Sequence, residues 1–370
     1  MQPFSSVSGR FSQGFRALFT LKPDELDLYP DQIYLDNMSS TKCDSRVLDE
    51  MLPFFSEFYG NPSAITHAQG WRAADALEKA RSRVAHLVSV DPDEIVFTSG
   101  ATESINTALR GVDRIIQPMQ SIGTTAVEHK ATIEVLKRSP HKTALAPLDD
   151  EGRVKMDTFQ SFLEDERIGL FTTLFVNNET GAINPYLDIA SACRDKEALL
   201  HLDCAQACGK IPVDLSHNGI SLASFSSHKM HGPKGIGALY IKRGLDVEPL
   251  IYGGGQESGI RGGTTPVMLA VGFGKACEIQ EAEMVRNTTH IEGLRNVFID
   301  VVSRKLPNVR IVTDIPNCVT CIAPGIEGEA TIIHMDKIAV STGSACTSES
   351  LEGSHVISSI YGLVSAHCSP

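Results

Sequence analysis

The sequence predicts an α/β protein with a mainly parallel sheet, and three observations carry that prediction. Between about residues 90 and 245, short apolar runs alternate with amphipathic segments, strand and helix in turn. The runs read as buried strands, as a parallel sheet covered by helices on both faces requires. A chain of 370 residues can also hold two compact domains, or one large α/β domain with a smaller appendage.

Taken in order, the first 23 residues carry Arg10, Arg16 and Lys22 and no acid, and Phe11, Phe15, Leu18 and Phe19 share one helical face. That pattern suits an organelle transit peptide, with a plain N-terminus as the alternative. EIVF (94–97) then reads as a strand and TESINTALR (102–110) as a helix. EHKATIEVLKR (128–138) and KMDTFQSFLED (155–165) read as helices, and GLFTTLFV (169–176), ALLHLD (198–203) and GALYI (237–241) as strands. Residues 280–310 form a long polar-amphipathic helix, a bridge into the smaller domain. The expected division is an N-terminal or targeting extension over 1–30, a large domain over 31–285 whose first residues can join the smaller one, and a small domain over 286–370. The last of these holds STGSACTSES (341–350), a polar loop with Cys346 near its middle.

A net charge of −12, from 45 acidic and 33 basic residues, disfavours nucleic acid or an anionic membrane as the main partner. No apolar run approaches the roughly 20 residues of a membrane span. Nine scattered cysteines point to a reducing compartment. Cys318 and Cys321 form a lone CxxC, which leaves a redox pair, half a zinc site or no special role open.

Three strand-end signals bear chemistry. In EIVFTSGATES, a strand runs through Ser99-Gly100 into a helix starting at Ala101-Thr102, where free N–H groups and a hydroxyl suit phosphate; a plain helix cap is the alternative. In HLDCAQ, Asp203 ends a strand with Gln206 three residues on, and a buried carboxylate there needs a positive partner unless it caps a helix or meets a ribose. In SFSSHKMHGPKGIGALYI, Lys229 follows a short strand in a turn of small residues, where desolvation can keep its amine neutral for Schiff-base chemistry; a surface lysine is the alternative. Together they match what pyridoxal phosphate needs: a lysine, an acid for the ring nitrogen and a phosphate cup.

SGATES, EHK, VNNETG, HLDCAQ, SSHKMHGPKGIGALY, YGGGQESGIRGGTTP and STGSACTS, in this order over about residues 33 to 356, resemble cysteine desulfurases of the NifS/IscS type, close to the mitochondrial form, among the class V aminotransferases. The resemblance implies a pyridoxal-phosphate-dependent transferase of fold type I, with a mainly parallel seven-stranded sheet in the large domain and a smaller α+β domain, here shortened at its C-terminus. It implies that Lys229 carries the cofactor, Asp203 pairs with its ring nitrogen, His129 stacks on the ring and Gln206 bonds its phenolic oxygen. Ala101, Thr102, Ser226 and His228 would bind the phosphate, Asn178 would sit near ring and substrate, and Thr264 would reach the phosphate in the other subunit of a homodimer. Cys346 would take sulfur from L-cysteine as a persulfide, with Lys229 and His129 completing the catalytic set. No intrinsic metal is implied, although Cys346 is placed to touch a nascent iron–sulfur cluster. Expected partners are an iron–sulfur scaffold protein and small accessory proteins, in a mitochondrion or related organelle, or otherwise the cytoplasm.

Two stretches depart from the family pattern. The sequence diverges after Ser354-His355-Val356 and has no arginine beyond Arg310, so the family's substrate-carboxylate arginine lacks a counterpart; Lys337 is the one lysine or arginine near the loop. Ser39-Ser40-Thr41 stands where the family usually has Ala-Thr-Thr. A selenocysteine lyase and a non-catalytic cofactor-binding scaffold are the alternatives in function.

Overall fold

The computed structural model describes residues 32–326, 328–343 and 353–362. Cys346 and the 1–30 extension lie outside the described residues. The described residues form two compact units, one of 32–36, 326 and 328–342 and the other of 37–325, 343 and 353–362. The smaller unit pairs Ile33–Tyr34 in parallel with Ile338–Ala339 and carries one short helix, Gly328–Ile333.

In the larger unit the helices are α1 (Ser45–Met51), α2 (Pro53–Ser56), α3 (Ala68–Leu87), α4 (Ala101–Gly111), α5 (Lys130–Leu136), α6 (Met156–Asp165), α7 (Tyr186–Asp195), α8 (Val267–Lys305) and α9 (His355–Tyr361). Its main sheet comprises β1 (Ile95–Thr98), β2 (Ser121–Thr124), β3 (Thr143–Leu145), β4 (Ile168–Leu174), β5 (Leu199–Asp203), β6 (Leu222–Ser226) and β7 (Gly237–Ile241). A hairpin of β8 (Arg310–Val312) and β9 (Thr320–Ile322) follows. The seven strands lie in the order β1-β7-β6-β5-β4-β2-β3, and only β7 runs antiparallel to its neighbours. This is the mainly parallel sheet the sequence predicts.

Side chains along β1, β6 and β7 divide between two apolar layers with the two-residue period of a pleated sheet. Ile95 and Phe97 join one layer with Leu77 and Ala80 of α3, Phe159 of α6 and Ile189 of α7. Val96, between them, joins the other with Ile105 and Leu109 of α4 and Leu136 of α5. Phe159 and Phe171 meet edge to face with centroids 4.7 Å apart.

The 39-residue α8 begins earlier than the sequence rhythm suggests, and the boundary expected after residue 285 falls within it. Its first half is mostly buried between Val267 and Gln280, with only Lys275 and Glu278 as part-exposed charges, too few to mark an amphipathic stripe. Gly274 lets α8 approach α3 closely: a Cβ there would sit 2.7 Å from the Ala80 Cα. The strands β2 and β3 also escape the sequence reading, since SIGT and TAL are too short and mixed to stand out. No helix among the described residues is long and apolar enough to cross a membrane.

Candidate active site

Six strands run parallel and end on one edge of the sheet, and sequence-predicted residues lie at or just beyond the ends of five of them. Ligands in open α/β sheets bind outside these carboxyl ends. Asp203 closes β5, Ser226 closes β6, Gly100 follows β1, His129 follows β2 and Asn178 follows β4.

Asp203 is buried, and its Oδ1 accepts from the Ala205 N–H at 2.9 Å. Burial pushes its carboxyl up, against the opposing pull of His129, that backbone bond and Lys229. His129 is the N-cap of α5, its Nδ1 accepting from the Ala131 N–H at 3.1 Å, so the helix expected from 128 starts at Lys130. Burial pushes its imidazole down, with Asp203 working in the other direction. In neutral His129 the proton therefore sits on Nε2.

Lys229 lies on a 3-10 turn after β6, and its Nζ donates to the carbonyls of Met38 and Ser39, each at 2.7 Å. Gln206 Nε2 donates to the same Met38 oxygen at 2.8 Å. His228 Nδ1 meets Ser40 Oγ at 3.1 Å, and burial, followed by Lys229 and two further lysines, pushes the imidazole down to about 4. Thr41 Oγ1 donates to the His228 carbonyl at 2.9 Å and accepts from the His231 N–H at 2.8 Å. The hydroxyls of Ser40 and Thr41 thus fix the turn that presents Lys229, and Ser39 meets the amine through its carbonyl.

The helix α4 starts with no capping side chain at Gly100, whose φ is +154°. A Cβ on Gly237, opposite in β7, would lie 2.7 Å from the Gly100 Cα. The lack of side chains lets the strand-end backbone close on this turn and leaves the first N–H groups of α4 without a side-chain acceptor. Ala101 is half-buried and Thr102 exposed at this helix start. Asn178 Oδ1 is buried without a hydrogen-bond partner. Thr264 is exposed on the glycine-rich loop, which is braced by a buried Arg81–Glu257 ion pair of 2.7 Å. Of the CxxC pair, Cys318 is buried with Sγ 3.6 Å from the Glu179 carbonyl, whereas Cys321 is exposed.

Sequence reasoning missed Glu128, Glu179 and Lys210. Glu128 is fully buried beside the strand ends, and burial raises its carboxyl to about 8. Glu179 accepts from Ser354 Oγ, the N-cap of α9, and lies against the Gly343 Cα, so described residues on either side of Cys346 in the chain meet one carboxyl group. Both acids adjoin a flagged residue, in EHK and VNNETG, which was the available signal.

A helix-covered parallel sheet with an acid, an imidazole and an amine at its strand ends defines an α/β enzyme of the aminotransferase kind. The chain belongs to the class-V aminotransferases, whose family model matches residues 33–363, and within them to the cysteine desulfurases. It is 40% identical over 338 residues to a cysteine desulfurase IscS of Rickettsia massiliae, covering 89% of this chain and 82% of the relative. It is 42% identical over 351 residues to a mitosomal cysteine desulfurase of Encephalitozoon cuniculi, covering 91% and 81%. A solved NifS-like protein superposes with a TM-score of 0.78 at 38% identity, over 82% of this chain and 85% of that one.

Proposed function

We propose that the protein is a cysteine desulfurase that uses pyridoxal phosphate to move sulfur from L-cysteine to its own Cys346. The observation that carries this reading is the group of Asp203, His129 and Lys229 at the strand ends, each within electrostatic reach of the others. The residues fit the cofactor: a buried carboxylate suits a protonated ring nitrogen, an uncapped helix start suits a phosphate, and Asn178 Oδ1 awaits a donor. Lys229 would hold it, with Asp203 and Gln206 at the ring, His129 against it, and Ala101, Thr102, Ser226 and His228 at the phosphate.

Bound there, pyridoxal phosphate supplies an electron sink for charge developing at the substrate's carbon atoms. The Lys229 amine carries the proton to and from the α-carbon. His129 holds a proton on Nε2 beside Asp203, which stays charged against the ring nitrogen. The Cys346 thiolate attacks the substrate sulfur, so an S–S bond forms as the C–S bond breaks. The carbon keeps the electron pair and takes a proton, so L-cysteine and a thiol become L-alanine and a persulfide.

Exposed Phe55, Tyr59, Ile65 and Trp71 form apolar surface suited to a second copy of the chain, in keeping with a homodimer in which Thr264 serves the partner's site. The acceptor of the persulfide would be an iron–sulfur scaffold protein with its accessory proteins. The mitosomal relative favours an organelle as the place.

Borohydride reduction after incubation with pyridoxal phosphate should leave a mass adduct on the peptide holding Lys229, and L-cysteine should yield alanine. Cys346→Ser should keep the adduct and lose the alanine. An unmodified Lys229 peptide with an adduct elsewhere would overturn the assignment.

A further inference from the structure

Behind the Lys229 turn lies a second lysine that the reaction does not use. Lys210 Nζ donates to Gln206 Oε1 and lies 3.6 Å from Met38 Sδ. An amide has one accepting and one donating end, so an ammonium on the oxygen fixes which end faces away from it. Gln206 Nε2 is thereby turned to the Met38 carbonyl, the oxygen that also receives Lys229 Nζ. Lys210 itself is partly buried, anchored where Thr288 Oγ1 donates to its carbonyl at 3.3 Å.

We propose that Lys210 is a positioning residue: it holds the Gln206 amide in one orientation, oxygen outward to itself and NH2 inward to the lysine that carries the cofactor. The assignment rests on the cysteine-desulfurase reading, in which Gln206 donates to the cofactor's phenolic oxygen. A reversed amide would present an oxygen to that oxygen, and the two would repel.

The charged and titratable groups facing Lys210 are Lys229, His228, Cys318 and Cys208. Burial, followed by Lys229, pushes its amine down to about 7, against the opposing pull of the two thiols. The ammonium on Gln206 therefore weakens above neutral pH.

The test is a spectral pH titration of the pyridoxal-phosphate-loaded protein, which reads the protonation of the bound chromophore and not turnover. With the NH2 donor fixed, the anionic oxygen is stabilised and the chromophore gives up its proton more readily. Lys210→Met should raise the spectral midpoint by about one pH unit, a tenfold change in proton affinity. Lys210→Arg, which can still donate to Gln206 Oε1, should restore it. Gln206→Leu should raise it similarly, and the Lys210→Met/Gln206→Leu double variant should move it no further than Gln206→Leu alone. A Lys210→Met midpoint equal to wild type, or a double variant whose shift is the sum of the two singles, would overturn the proposal. Failure of wild-type Lys229 to trap the cofactor would instead remove the reading beneath it.

Discussion

At the scale of single residues, the site depends on burial setting the charge of each group. Glu128 shows the sign most clearly. Its carboxyl rises from 4.5 to about 8 by burial, so it stays protonated in the folded state while the unfolded chain ionises. Its contribution to stability is complete below pH 4.5 and is lost as pH rises towards 8, at about 1.4 kcal/mol per pH unit. Glu128→Gln keeps an acceptor for Thr125 Oγ1, which lies 2.6 Å from Glu128 Oε1, and has nothing to ionise. Urea unfolding between pH 5 and 8 should show the variant gaining on wild type as pH rises; parallel curves would exclude a protonated Glu128. Motif and strand position sufficed to flag Asp203, His129 and Lys229 in the sequence. Glu128 and Lys210 stayed hidden because their character comes from burial and from neighbours distant in the chain, such as Met38 for Lys210.

At the scale of elements, the close approach of β7 to the start of α4 leaves no room for a side chain. A Cβ at Gly237 would lie 2.3 Å from the Phe225 carbonyl oxygen, a backbone atom that cannot swing aside. Gly237→Ala should therefore cost about 1–3 kcal/mol of stability, read by thermal or urea unfolding. It should also weaken phosphate-dependent cofactor binding, because Gly100 would be displaced; a variant as stable as wild type would argue against this packing. Strands β4, β5 and β7 were legible because their runs are mainly apolar, and α4 and α6 because one face is apolar. The first half of α8 was not, because a mostly buried helix with only Lys275 and Glu278 as part-exposed charges carries too narrow a polar stripe to read.

At the scale of the whole molecule, the exposed aromatic surface sets the expected assembly. Trp71 is 58% exposed and Tyr59 is 71% exposed, and a second copy of the chain would cover such groups. Sedimentation of the wild type should give a dimer, and Tyr59→Glu with Trp71→Glu should shift it towards monomer at micromolar concentration. A wild type that sediments as a monomer throughout would remove the shared-site role of Thr264. The parallel order of the sheet followed from the strand–helix rhythm, whereas the antiparallel course of β7 had to be read from its connection, because the short link 227–236 holds no crossover helix. That reversal has a mechanical outcome. Because β6 and β7 pair directly, the span bearing Lys229 is stapled at both stems to the sheet and has no slack to travel. Any carriage of sulfur outward to an acceptor must fall to chain beyond the sheet.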